Sequence, residues 1–406
     1  MSTRISIRPQ ADIIHGGRDA AFPAGQVLAG LFLAVAMLIA AAFTTGRAQA
    51  SDLPGSLVSA QRMSGAPDGS TAYRIIYMST GLSGEPIPVS GVVVVPAGHI
   101  PTGGRPIVAW AHPTTGVEPQ CGPSRARVFF SSVQGLRDAL ARGYVVTATD
   151  YPGLGIDRAG PHPYLVGTSE GRAVLDSVRA ARQIPDAGAS DNFAVWGHSQ
   201  GGHAALYSGL LASAYAPELH LVGVAAAAPA TELAELMRED QGTGGGNNIT
   251  AMTLWSWSRV YVAPIDHVVM PRALPVVNKL AGKCIERWFD VLDRRGPTRA
   301  LEHSFLSVND LSDLQPWKHL LADNTPGPLP SRIPVFIAQG TKDNLVRPSV
   351  TMAYVKGLCR RGSKVELERL KGVGHAFAAR HSASDAMAWI AGRFAGAPAP
   401  SNCGNS

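Results

Sequence analysis

The pentapeptide Gly197-His198-Ser199-Gln200-Gly201 constrains this chain more than any other segment, because it lies between a short apolar run and a helix-forming one. Phe193-Ala194-Val195-Trp196 reads as a strand, and Gly202-His203-Ala204-Ala205-Leu206 as the start of a helix. A serine between them sits on a sharp strand-to-helix turn that lifts its hydroxyl clear of the backbone. Only small neighbours let strand and helix approach that closely, and Gly197 and Gly201 supply the room. The chain has 44 glycines, so the bare pattern is a common accident. An acid and a histidine downstream, in that order, give it weight.

Ile333 to Ala338 reads as a fully buried strand that ends in the loop Gln339-Gly340-Thr341-Lys342-Asp343, which puts Asp343 at a strand's carboxyl end. Lys364 to Leu370 alternates like an edge strand and runs into Lys371-Gly372-Val373-Gly374-His375, so His375 lies on the loop before the last helix. Serine, acid and histidine in that chain order is the arrangement of α/β-hydrolase triads. A serine hydroxyl is a weak nucleophile near neutral pH. His375 is expected to take its proton and return it to the leaving group, while Asp343 holds the imidazole in the useful tautomer. His112, His198, His203, His303 and His381 occupy motif, helix or undistinguished positions and read as structural or lining residues.

A tetrahedral intermediate needs hydrogen-bond donors for its oxygen. One expected donor is the backbone N–H of Gln200, at the start of the elbow helix, where the macrodipole also favours negative charge. The second should come from the loop after the strand Arg105 to Trp110. Pro113 has no N–H, so Thr114 is the first choice and Thr115 the second.

Further motifs accompany these residues: His112-Pro113-Thr114-Thr115-Gly116 leading to Cys121-Gly122-Pro123-Ser124, Asp150-Tyr151-Pro152-Gly153-Leu154-Gly155, and Ser169-Glu170-Gly171-Arg172 through Asp176. With the elbow they resemble the secretory lipase family, from near Tyr73 to Cys403. The resemblance implies an α/β-hydrolase fold: a mostly parallel central sheet flanked by helices, with an inserted helical cap or lid. It also implies hydrolysis of carboxylic esters, with acyl chains bound under the cap, and pairing of Cys121 with Cys284 and Cys359 with Cys403. The even cysteine count fits an oxidising compartment. No Cys-x-x-Cys occurs and the histidines are dispersed, so no metal site and no cofactor is expected.

The expected organisation is a signal peptide at 1–50, a first core part at 51–230, a cap insertion at 231–331, and a second core part with a C-terminal tail at 332–406. Arg4, Arg8 and Arg18 precede an apolar stretch from Val27 to Phe43, and Ala48-Gln49-Ala50 has the small-x-small form of a cleavage site. Export after cleavage at Ala50, to the periplasm, cell envelope or medium, competes with retention as an anchor. A structureless loop as long as 231–331 is improbable in a compact domain. Within it, Gly242 to Gly246 reads as a flexible stretch, and Trp255 and Trp257 as substrate-binding rings, with packing inside the insertion as the competing reading. The last helix is expected to start at Ser382, capped by its hydroxyl and Asp385.

Hydrophobic residues at 45% and charged ones at 16% supply one large core. The net charge is +6; four arginines and two aspartates in residues 1–50 contribute +2, which leaves +4 for the rest. That is too weak and scattered for a nucleic-acid footprint. The expected partner is a small-molecule or lipid ester, with transient contact at a lipid interface. Oligomeric state is not legible. A hydrolase fold that has lost its chemistry and serves as a binding module, and an amidase or peptidase using the same machinery, are the competing accounts.

Overall fold

Nine strands form one sheet in the order β1-β2-β3-β5-β4-β6-β7-β8-β9. The computed structural model describes residues 52–239, 241–285, 301 and 305–405. The signal-peptide or anchor assignment for 1–50, and His303, lie outside the described residues. No helix among the described residues is long and apolar enough to cross a membrane.

β1 (Leu57–Met63), β2 (Ser70–Thr80) and β3 (Pro86–Pro96) form an antiparallel meander, and β3 joins β5 (Val145–Thr149) antiparallel. From there β4 (Arg105–Ala111), β6 (Ala189–His198), β7 (His220–Ala227), β8 (Val335–Gly340) and β9 (Val365–Leu370) continue in parallel. β5 and β8 are buried along their whole length, as strands covered on both faces must be. β1 was not anticipated, because most of its residues are exposed and it shows no apolar alternation.

Alternate residues feed two cores. One face sends Val108, Trp110, Ala194, Trp196, Ala225 and Phe336 into the first, and the other sends Ile107, Ala109, Phe193, Val195, Val224 and Ile337 into the second. After the short α1 (Phe129–Ser132), helix α2 (Leu136–Ala141) covers the first face. α3 (Gly167–Ala181) and α4 (Gln200–Tyr215) cover the second, burying Val174, Val178, Ala204 and Ala205.

Between β7 and β8 the chain leaves the sheet and builds α5 (Leu233–Glu239), α6 (Gly244–Val260), α7 (Leu274–Ala281) and α8 (Trp317–Asp323). Gly244 to Gly246 form the first turn of α6 instead of a flexible stretch. The Thr243 hydroxyl caps that turn by accepting from Gly246 N at 3.0 Å, which offsets the glycine entropy cost.

α9 (Pro348–Arg360) and α10 (Ala378–Phe394) complete the layers on opposite faces. α10 begins four residues before the expected Ser382. That hydroxyl lies inside the helix and bonds back to Ala378 O at 2.9 Å, so it caps nothing. The helix α4 likewise starts at Gln200, two residues before Gly202.

Disulfides join Cys121 to Cys284 and Cys359 to Cys403. The second ties the C-terminal tail to the end of α9.

Candidate active site

Ser199 adopts φ 57° and ψ −117°, a left-handed conformation that a serine takes only when its surroundings enforce it. The enforcement is local. Ser199 N donates to Ala227 O at 2.9 Å, while its carbonyl accepts from His203 N and Ala230 N. A Cβ on Gly197 would stand 2.0 Å from Gly201 O, and one on Gly201 would stand 1.9 Å from Ala111 O. Both glycines are therefore required by the close approach of β6, α4 and the end of β4.

Ser199, at the carboxyl end of β6, meets side chains from the ends of β8 and β9. His375 Nε2 is 2.8 Å from Ser199 Oγ, and His375 Nδ1 is 2.8 Å from Asp343 Oδ2. The Asp343 side chain is fully enclosed, while that of His375 stays 15% exposed. Asp343 Oδ1 accepts from Leu345 N and Val346 N, and Oδ2 from Gln339 Nε2. Burial alone would raise the Asp343 carboxyl. The hydrogen bond and charge of His375, with the two backbone N–H groups, hold it below its ordinary value. An ionised Asp343 in turn selects the tautomer with hydrogen on Nδ1 and leaves Nε2 free to accept from Ser199.

His198, inside the elbow, is also buried, and its Nε2 lies 3.0 Å from His375 O. Burial, reinforced by the neighbouring His375, lowers its pKa to about 3. His112 is buried too, with Nδ1 near Pro113 O and Nε2 near Asp150 O.

Gln200 is the first residue of α4, where a backbone N–H has no intrahelical acceptor. Thr114 follows β4, and its Oγ1 lies 2.7 Å from the Tyr164 hydroxyl. The carbonyl of its neighbour Thr115 accepts from Ile285 N at 2.8 Å.

Beside Ser199 lies a narrow apolar pocket, open to solvent at its mouth and walled by Leu233, Leu236, Met237, Ile249, Leu345 and Val346. Trp255 and Trp257 do not line it, which corrects the expectation for these rings. Trp257 stacks on Trp317 at 6.5 Å and donates from Nε1 to Tyr164 O, so it packs between the insertion and the loop before α3. Trp255 is covered by the Arg259 guanidinium at 3.9 Å. Both lie farther along α6 than Ile249, and the first two turns of that helix meet the cavity instead. Among the described residues no cluster of three or more His, Cys, Asp or Glu side chains is placed to hold a metal.

In the fold His203, a structural residue by its sequence position, joins Glu170, which with His162 holds the Gln200 side chain. All three side chains are completely buried behind Gln200. Nothing in their spacing announces this, because α3, α4 and the loop before α3 meet only in the folded chain.

The model of the secretory lipase family matches residues 132–402. A secreted triacylglycerol lipase of Malassezia globosa is 25% identical over 376 residues, covering 84% of this chain and 76% of that protein. A probable inactive lipase of Mycobacterium tuberculosis is 25% identical over 352 residues, covering 82% and 75%. The X-ray structure of Candida antarctica lipase A superposes with a TM-score of 0.70 at 18% identity, covering 87% of this chain and 85% of that one.

Proposed function

This chain belongs to the secretory lipase family, and we propose that it is an exported serine hydrolase that cleaves carboxylic esters through Ser199, His375 and Asp343. The observation that carries the proposal is the continuous hydrogen-bonded line from Ser199 Oγ through the His375 ring to Asp343. One relative bears the name of an inactive lipase. In this chain all three side chains are present and in contact, which supports chemistry over a purely binding role.

In the proposed reaction, Ser199 Oγ attacks the ester carbonyl as its proton passes to His375 Nε2. The developing oxyanion is received by the N–H of Gln200 and that of Thr114. Collapse expels the alcohol, which takes the proton from Nε2, and leaves an acyl group on Ser199. Water then repeats the sequence: it gives a proton to Nε2, attacks the acyl carbon, and releases the acid with Oγ protonated again. Asp343 stays ionised throughout and stabilises the imidazolium.

The acyl chain occupies the apolar cavity, roofed by the β7–β8 insertion, 231–331, acting as a cap. Residues 1–50 serve as an export signal removed after Ala50, which agrees with two disulfides in the mature part. A chain-length series of p-nitrophenyl esters tests the reading. Wild type should hydrolyse them with a preference set by acyl length, and Ser199→Ala should lose activity by several orders of magnitude. Equal turnover by both proteins would contradict it.

A further inference from the structure

The Ser169-Glu170-Gly171 motif has no part in acyl transfer at Ser199, yet Glu170 stands at the centre of a closed polar cluster behind the nucleophile. Glu170 Oε2 is 2.8 Å from His203 Nδ1, and both side chains are completely enclosed. His203 Nε2 is 2.7 Å from Asn324 O. A backbone carbonyl only accepts, so Nε2 must carry a hydrogen. The short contact to Glu170 then also needs a proton, on Nδ1 or on Oε2. In either form the pair is neutral as a unit, which is what complete burial of a carboxylate demands.

The other oxygen, Glu170 Oε1, accepts from Leu165 N at 3.0 Å and from Gln200 Nε2 at 2.7 Å. Gln200 Nε2 also reaches His162 Nε2 at 2.9 Å, and His162 Nδ1 lies 2.8 Å from Pro152 O. By the same reasoning Nδ1 of His162 carries the hydrogen and its Nε2 accepts. Burial keeps that ring neutral, with a pKa lowered to about 3. Both amide hydrogens of Gln200 are therefore committed, one to a carboxyl oxygen and one to an imidazole nitrogen. These two acceptors fix which end of the amide is nitrogen.

The clamp acts on the residue whose main chain adjoins the nucleophile. Gln200 is held at its side-chain end by Glu170 and His162, and at its backbone by the strained turn at Ser199. Leu165, which Glu170 also grips, has a left-handed backbone and lines the same cavity. We infer that Glu170, whose proton-sharing pair with His203 is neutral as a unit, is a positioning residue that aims the Gln200 N–H at the oxyanion. The inference rests on the proposed acyl-transfer role of Ser199.

Gln200→Ala keeps the backbone N–H and removes only the clamp. Its kcat on a p-nitrophenyl ester should fall roughly 10- to 100-fold with KM little changed. Its affinity for an arylboronic acid, which forms a tetrahedral adduct on the nucleophile, should fall by a similar factor. Glu170→Ala should behave the same way in its folded fraction. Glu170→Gln should restore most of both quantities, because the amide oxygen still accepts from Leu165 and Gln200 while its NH2 donates to a neutral His203.

A purely structural role predicts a different pattern: lower melting temperatures for both alanine variants, with kcat and boronate affinity per folded molecule equal to wild type. That result, from Gln200→Ala alone if Glu170→Ala does not fold, would overturn the inference while leaving the proposed function intact. A wild type with neither esterase activity nor boronate binding would overturn the proposed function itself, and this inference with it.

Discussion

The ring of His198 lies 5.1 Å from that of His375, and its Nε2 is 3.0 Å from the His375 carbonyl oxygen. Because that oxygen can only accept, the Nε2–H of His198 fixes the backbone that carries the proposed base. Burial, with repulsion from His375, lowers the His198 pKa to about 3, so it adds no second positive charge when His375 becomes an imidazolium. His198→Phe keeps a ring in place and removes the donor. Loss of one such bond, worth about 1 kcal/mol, should lower kcat about fivefold with KM unchanged. An unchanged kcat would show that the bond does not position His375.

Acid stability should carry the mark of two buried neutral imidazoles. His162 and His198 both have folded pKa values of about 3, against an ordinary 6.5. As pH falls below 6.5 the unfolded chain takes up these protons first, so the stabilisation is complete above that value and is lost progressively down to about 3. Each group contributes a slope of at most roughly 1.4 kcal/mol per pH unit. Asp343, held below its ordinary value, adds to the loss at the acid end of the range. Urea denaturation between pH 7 and 4 measures this, and His162→Gln should flatten the curve. Equal stability at both ends would contradict the assignment of neutral, buried rings.

Gly201→Ala introduces a Cβ 1.9 Å from the Ala111 carbonyl oxygen, a main-chain atom that cannot swing away. The cost should lie at or above the upper end of the usual overpacking range, about 3 kcal/mol, with activity lost as the elbow shifts. Thermal unfolding and ester turnover test both parts. A variant as stable and active as wild type would mean that the elbow does not pack as tightly as described.

The two disulfides close loops of different length, with separations of 163 residues for Cys121–Cys284 and 44 for Cys359–Cys403. Chain entropy alone gives about 5 kcal/mol for the first and about 4 for the second. Paired serine substitutions should therefore both destabilise, the Cys121/Cys284 pair more. The reverse ranking in chemical denaturation would show that native-state effects outweigh loop closure.

What was legible in the sequence was what local chemistry encodes. The elbow needs glycines at fixed positions, and the runs ending at Ala338 and Leu370 are apolar or alternating enough to be strands, so Ser199, Asp343 and His375 could be placed at strand ends. The N-terminus of α10 was misplaced because a capping signal at Ser382 looked stronger than the helical run beginning at Ala378, whose first turn has no side-chain cap of its own. The glycine run that opens α6 reads as flexible because its Thr243 cap and its packing exist only in the folded setting. Trp255 and Trp257 have the composition of a pocket wall, but which face of α6 meets the cavity is decided by Trp317 and Tyr164, distant in sequence. The Glu170, His162 and His203 cluster was invisible for the same reason.

The most direct test of the proposed triad is covalent labelling with a fluorophosphonate, with the labelled peptide then mapped. The reagent reacts with a serine only where a base stands ready to take its proton, so the label should appear on Ser199 in wild type and vanish in His375→Ala. Labelling of a different serine, or equal labelling of Ser199 without His375, would contradict the proposal that these residues form one proton-relaying unit.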